Sequence, residues 1–278
     1  MADWVCLAEN FFNVRSFPLH VVSAEEEPAG FEAFRVASAR RSGLSYATAT
    51  TANSDWWVKV VADRVRAADM IVLDRGHNLA GKTVRVEVSQ DNFATWETIF
   101  NAALPTAPAV GSLDGALGVM TEEGAWVLRF PKRIGTSWRV FIPAMGAGLK
   151  PIQTGVWLGP SFGTTALTRP LARNRHTLVG EMAESALGWQ AFAKRTPRRE
   201  GVFSLRFPTL AEGELARLHL EGHYGRGRPT WIVPNSDDAT DAFLSVLPVT
   251  DFGIVRQLQW YYGEVAVPYQ EFEPLEVI

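Results

Sequence analysis

Four short patterns in the chain carry the residue types of a chemical site. Gly76-His-Asn-Leu-Ala-Gly81-Lys82-Thr83 has the spacing of a phosphate loop: two glycines, then lysine and a hydroxyl residue. That chemistry needs a helix to begin at Gly81-Lys82-Thr83, because the phosphates rest on backbone N–H groups at a helix N-terminus. The next residues are Val84-Arg-Val-Glu-Val-Ser89, a strict alternation with three β-branched valines, which predicts a strand. The segment is therefore read as a strand–loop–strand connection with no nucleotide to hold. His219 and His223 stand four apart with Glu221 between them. A zinc protease helix needs glutamate directly after the first histidine, and Leu220 occupies that place. Gly225-Arg-Gly-Arg-Pro229 has the look of a nucleic-acid segment, but it is short and runs into the apolar Thr230-Trp-Ile-Val-Pro234, so it is read as a turn. Trp56-Trp57 offers two rings, yet neighbours on a strand point to opposite faces. One of the two is assigned to the core, and a two-ring platform is not expected.

Little other chemistry remains. The lone cysteine, Cys6, excludes an internal disulfide framework and a cysteine-rich zinc module. No Ser-His-Asp arrangement can be nominated, and no pair of acids is spaced for glycoside hydrolysis. No catalytic, metal-binding or cofactor-binding residue is assigned, and the chain is read as a non-enzyme.

The elements that would position any site are mostly strands. Asp55–Ala62, Ala68–Asp74, Thr83–Ser89, Trp126–Phe130, Ser137–Ile142 and Thr154–Leu158 are short, rich in Val, Ile and Trp, and bounded by turn residues. A second set lies at Thr177–Met182, Gly188–Ala193, Val202–Phe207, Thr230–Val233, Ala242–Val246, Ile254–Tyr262 and Val265–Tyr269. One helix is predicted over Thr209–Glu221, with Thr209 as its cap, Glu212 three residues on, and Leu210, Leu215 and Leu218 near one face. The small, Pro- and Gly-rich stretch Ala102–Gly118 reads as a long surface connection or flexible loop. The fold class is mainly β: a β-sandwich over residues 1–163, then a second β-rich domain with one helix over 164–278.

Length and charge bound the function. At about 150 residues per domain, 278 residues suggest two domains. Lys+Arg is 27 against 30 for Asp+Glu, which argues against a nucleic-acid binder. No apolar stretch is long enough for a membrane span, and the start lacks the regions of a signal peptide. The near-neutral total conceals a split. Residues 124–180 hold eight bases and no acid, and residues 232–278 hold eight acids and one base, Arg256. Such segregation is read either as balance within the molecule or as complementary faces of a head-to-tail assembly.

Two groups of segments resemble known families. Trp57-Val-Lys-Val, Ala68–Leu79, Val84–Asp91 with Trp96-Glu-Thr-Ile99, and Ser137–Ile142 resemble the galactose-binding-like (discoidin-type) jelly roll, in a version familiar from tailed-bacteriophage structural proteins. Arg198–Leu210, the helix after it and Gly225–Pro234 are similar to the β domain of phage distal-tail proteins. The resemblance implies a structural component of a phage tail tip or baseplate, made in the host cytoplasm and housed in the virion. Its partners would be other tail proteins and further copies of itself in a ring. The interface would set Arg169, Arg173, Arg175, Arg198 and Arg199 against Glu271, Glu273 and Glu276. The alternative is a carbohydrate-binding adhesion module that recognises host surface glycans.

Overall fold

In the computed structural model the period-2 stretches become strands and the chain is mainly β, paired antiparallel. The structure describes residues 4–7, 9–14, 16–37, 47–146, 148–164, 176–179, 182–184, 190–192, 196–207, 209–224, 229–246, 256–259 and 262–271. Two units divide the chain. The larger holds the described residues of Ala2–Gly163 and Thr230–Phe243, the smaller those of Thr164–Pro229 and Leu244–Glu273.

The strands run in chain order as β1 (Trp4–Leu7), β2 (Val21–Ala24), β3 (Ala47–Thr48), β4 (Trp56–Leu73), β5 (Thr83–Ser89) and β6 (Glu97–Ala103). Next come β7 (Val119–Met120), β8 (Trp126–Ile142), β9 (Ile152–Gln153), β10 (Val156–Gly159) and β11 (Ser161–Thr164). The smaller unit contributes β12 (His176–Val179), β13 (Met182–Glu184), β14 (Gln190–Phe192), β15 (Thr196–Phe207) and α1 (Leu210–Tyr224). The remaining strands are β16 (Pro229–Val233), β17 (Phe243–Val246), β18 (Arg256–Gln259) and β19 (Tyr262–Glu271).

Two long strands organise the larger unit. The sequence pattern puts strands at Asp55–Ala62 and Ala68–Asp74, and the structure joins them into the 18-residue β4. It likewise joins Trp126–Phe130 and Ser137–Ile142 into β8. The breaks in alternation mark bends rather than ends, since the β4–β8 register shifts between Val61 and Arg66 and between Ala68 and Met70. The bend is severe. Phe100 of β6 pairs with Val86, and Val86 pairs with Val140 near the end of β8. Yet the Phe100 ring lies 4.9 Å from that of Trp126, at the start of β8. Residues 126 and 140 of a straight strand would stand roughly 45 Å apart. The sheet β10-β4-β8-β5-β6, with β2 beside β4 and β7 beside β8, is therefore folded over on itself.

The inner faces of its two halves form one core. Trp56, Val58 and Val60 meet Ile71, Leu73, Val86, Trp126, Leu128, Trp138 and Val140 there. Trp4, Trp56, Trp126, Trp138, Trp157 and Trp231, six of the chain's ten tryptophans, are buried. Cys6, also buried, lies on β1, which pairs with β16 through Val5↔Val233 and Cys6↔Ile232.

The stretch expected as a surface connection is laced down. Leu113 N–H donates to Ser236 O and Ala239 N–H to Gly111 O, while Arg129 N–H donates to Leu113 O. Leu113 is fully buried.

In the smaller unit β15 pairs with β19 from Glu200↔Gln270 to Phe207↔Gly263. β12 adds to β15, and β17 and β18 add to β19. The helix begins as its sequence signature requires: Glu212 N–H donates to Thr209 Oγ1 at 3.2 Å. It packs against β19 and β15 and buries Gly213 and Ala216, while Leu210, Leu215 and Leu218 are exposed. Small residues let the helix approach a sheet closely, and this helix uses them in place of Leu210, Leu215 and Leu218. No helix among the described residues is long and apolar enough to cross a membrane.

Candidate functional site

The inner phase of the alternation makes the core; the outer phase of the half-sheet β2-β4-β8-β5-β6 makes the site. Register sets two neighbouring rows across it. One row runs Asn101–Arg85–Phe141–Trp57 and the next Thr98–Glu87–Arg139–Lys59–Ser23. Directly opposed residues in an antiparallel pair have Cβ atoms about 5 Å apart, so each row is a line of touching side chains.

Cations lie on rings throughout. The Arg85 guanidinium sits 3.9 Å from the Phe141 ring centre, and Lys59 Nζ 4.8 Å from that of Trp57. Arg139 has three rings around it, Phe93 at 4.6 Å, Trp96 at 5.0 Å and Phe141 at 5.4 Å. Each such contact is worth roughly 0.5–1 kcal/mol at an exposed site and more when desolvated. Beneath them Glu87 is wholly buried. A buried carboxylate is tolerated only when paired; Arg139 Nε donates to Glu87 Oε2. The other oxygen, Oε1, has no hydrogen-bond partner and faces Arg85 Nη1 at 3.7 Å.

The β5–β6 loop supplies the last two rings. Ser89 Oγ–H donates to Asp91 Oδ1 at 2.7 Å, and Thr95 donates to the same carboxylate from both its N–H and its hydroxyl. These donors, Thr95 first, hold the Asp91 carboxyl at about 2, below the ordinary range. Phe93 N–H donates to Ser89 Oγ at 2.8 Å, and Phe93 takes a φ of 70°. A bulky residue in the left-handed region costs on the order of 1–2 kcal/mol. The knot of hydrogen bonds holds it there, and the ring covers Arg139. Trp96 remains 52 % exposed beside it.

A second polar group lies inside the loop after β4. Gly81, at φ 70°, makes the turn that leads straight into β5, and Lys82 Nζ donates to Met145 O at 3.3 Å. The phosphate-loop pattern is thus a turn between strands. Leu79 N–H donates to His77 Nδ1, so the neutral ring carries its proton on Nε2. His77 Nε2, Gln153 Oε1 and Trp157 Nε1 are buried without a hydrogen-bond partner. Burial pushes the His77 pKa down to about 4. These atoms are turned away from solvent and offer nothing to a ligand from outside.

Of the charged residues nominated for assembly, Arg169, Arg173, Arg175, Glu273 and Glu276 lie outside the described residues. Arg198 and Arg199 stand on β15 opposite Thr177 and His176, and Glu271 ends β19 opposite Ser245; their side chains also lie outside the described residues. His219 and His223 both fall on α1, with side chains outside the described residues. Among the described residues no group of three or more His, Cys, Asp or Glu could hold a metal ion. Trp56 is core and Trp57 faces outward, as strand alternation requires.

The face itself was missed from sequence. Its signal lay in the outward letters of three alternating runs, Trp57-Val-Lys59, Arg85-Val-Glu87 and Arg139-Val-Phe141. Register joins those letters into rows, and no single run contains it.

No family model matches the chain, and no curated protein matches it. Solved structures do. CpGH89CBM32-5 from Clostridium perfringens, in complex with GalNAc-beta-1,3-galactose, is similar over 50% of this chain and 94% of its own, with 10% identity and a TM-score of 0.39. The family 32 CBM of C. perfringens NanJ, in complex with galactose, is similar over 57% of this chain and 99% of its own, with 8% identity and a TM-score of 0.41. A chitosan-binding module from Paenibacillus sp. IK-5 is similar over 54% and 96%, with 14% identity and a TM-score of 0.40.

Proposed function

We propose that the larger unit is a carbohydrate-binding module and that it binds without catalysing. The observation that carries this reading is the half-exposed ring of Trp96, in the loop above the outer sheet face, together with the exposed polar side chains of Thr98 and Asn101 and the part-exposed Arg85 on that face. A pyranose is amphipathic: one face presents C–H groups and the rim presents hydroxyls. An aromatic ring supplies the surface for the first, and the neighbouring guanidinium, hydroxyl and amide supply directional partners for the second. Rigidity adds to this. The rings rest on a hydrogen-bonded sheet and a knotted loop, so little conformational entropy is lost on binding.

A glycan panel read by calorimetry tests the reading. Trp96→Ala should abolish binding to whichever neutral saccharide the protein takes, with stability unchanged within about 0.5 kcal/mol for an exposed side chain. A blank panel at millimolar saccharide overturns it.

Assembly within a phage tail is the second reading, and the segregation of charge between residues 124–180 and 232–278 favours it. Reversing Arg173 and Arg175 to Glu should then reduce the mass of the particle formed with its tail partners. An unchanged monomer by light scattering, with those partners present, argues against it.

A further inference from the structure

On the assumption that the outer face of the larger unit binds saccharide, we propose that it selects acidic ones, with Lys59 and Arg85 as the pair that receives the carboxylate or sulfate. Trp57 and Phe141 are direct cross-strand partners. Each carries a cation on its ring, Lys59 at 4.8 Å and Arg85 at 3.9 Å. The two charges are thus anchored side by side on adjacent rings.

Their hydrogen-bonding groups are unspent. Among the described residues neither the Lys59 nor the Arg85 side chain donates a hydrogen bond, and the Arg85 side chain is 31 % exposed. The acid that faces Arg85 is Glu87, which Arg139 already pairs with. Its second oxygen stands 3.7 Å from Arg85 Nη1, near enough to orient the guanidinium and too far for a hydrogen bond. Across the two rows, which Glu25 extends opposite Trp57, three cations face two carboxylates, Lys59, Arg85 and Arg139 against Glu87 and Glu25, so one positive charge remains uncompensated there. A neutral sugar has no group that makes use of this surplus. A carboxylate or sulfate does, through a bidentate contact with Arg85 and a point-charge contact with Lys59. Trp96, across Arg139 from Phe141, lies where the ring of such a sugar residue would stack.

Titration of the full chain with polygalacturonate and with neutral galactan tests the inference, at about 20 mM and about 300 mM salt. Polygalacturonate should bind more tightly, and added salt should weaken it and leave galactan unaffected. Arg85→Gln and Lys59→Gln should each weaken polygalacturonate roughly tenfold with the thermal midpoint in place, and Lys59→Gln should leave galactan binding unchanged. Sulfated dextran in a parallel arm separates sulfate from carboxylate preference; tightening by either group supports the cradle. Equal binding of the acidic and neutral polymers, or full binding by both variants, overturns the acidic selectivity while the saccharide reading stands. Binding of no polymer overturns that reading itself.

Discussion

The folded sheet of the larger unit has two outer faces, and they differ completely. On one half the row Trp157–Val72–Val127–Val119 is apolar and buried from end to end. On the other half, the row Asn101–Arg85–Phe141–Trp57 carries a cation and an amide at partly or fully exposed positions. Both rows belong to one sheet and share strands β4 and β8. Residues near the first row are tied to a strap: Arg129 N–H donates to Leu113 O, and Leu113 N–H to Ser236 O. The second row is left to solvent. A sheet with one face on the core uses the other either for more core or for contact with something outside the chain. Here a single sheet does both, and the site is the half that the protein leaves uncovered.

The sharpest way to break this contrast is to treat the two faces alike. Trp157→Ala, on the covered face, should cost about 3–5 kcal/mol through lost burial and the cavity left behind. Urea denaturation reads that loss directly, and a cost below about 1 kcal/mol would mean the row is not packed. Glu87→Ala comes next, at about 1–3 kcal/mol, because it strands Arg139 among rings without its carboxylate. Arg139→Met with Glu87→Leu should recover most of that loss, since matched apolar replacement removes both desolvation costs.

The pH response should separate the loop interior from the surface. His77 has a folded pKa of about 4 against an ordinary 6.5. The unfolded ring therefore takes up its proton first as pH falls. Stability should decline from pH 6.5 toward 4, by at most about 1.4 kcal/mol per pH unit. His77→Gln should flatten that region of the curve. The lowered carboxylates act later: Asp91 and Glu32, both at about 2, lose their contribution only as pH falls below about 4 toward 2. The smallest effect belongs to the exposed helix leucines. Leu215→Ser should change stability by under about 0.5 kcal/mol, which reverses the assignment that a helical periodicity alone suggests.

Much of this was legible beforehand. The strand Thr83–Ser89 matches β5 residue for residue, because strict alternation with valines leaves no competing period. The same strand disqualified the phosphate-loop pattern, and the structure shows a turn there. Thr209 caps its helix as the local sequence demands. Other features were not legible. Two strands on each side of a bend look separate when the alternation lapses, as at Asp63–Ala67 and Pro131–Thr136, yet the backbone continues through. Leu210, Leu215 and Leu218 looked like the inner face of α1, but close approach to the sheet favoured Gly213 and Ala216.

Which residues share a face can be read from the chain alone, since a strand's period depends only on backbone geometry. The chain also separates two kinds of strand half. Met70-Ile-Val-Leu73 is apolar at every position and ends up buried on both sides, whereas Trp57-Val-Lys-Val alternates and keeps one side open. What stands beside each face follows from strand pairing across the fold. Register brought Arg85 to Phe141 and Lys59 to Arg139 from strands far apart in the chain. The loop over Ser89–Trp96 then closed two rings around Arg139. Such neighbours are fixed by long-range pairing, which a local pattern does not encode, and the binding face is made of them.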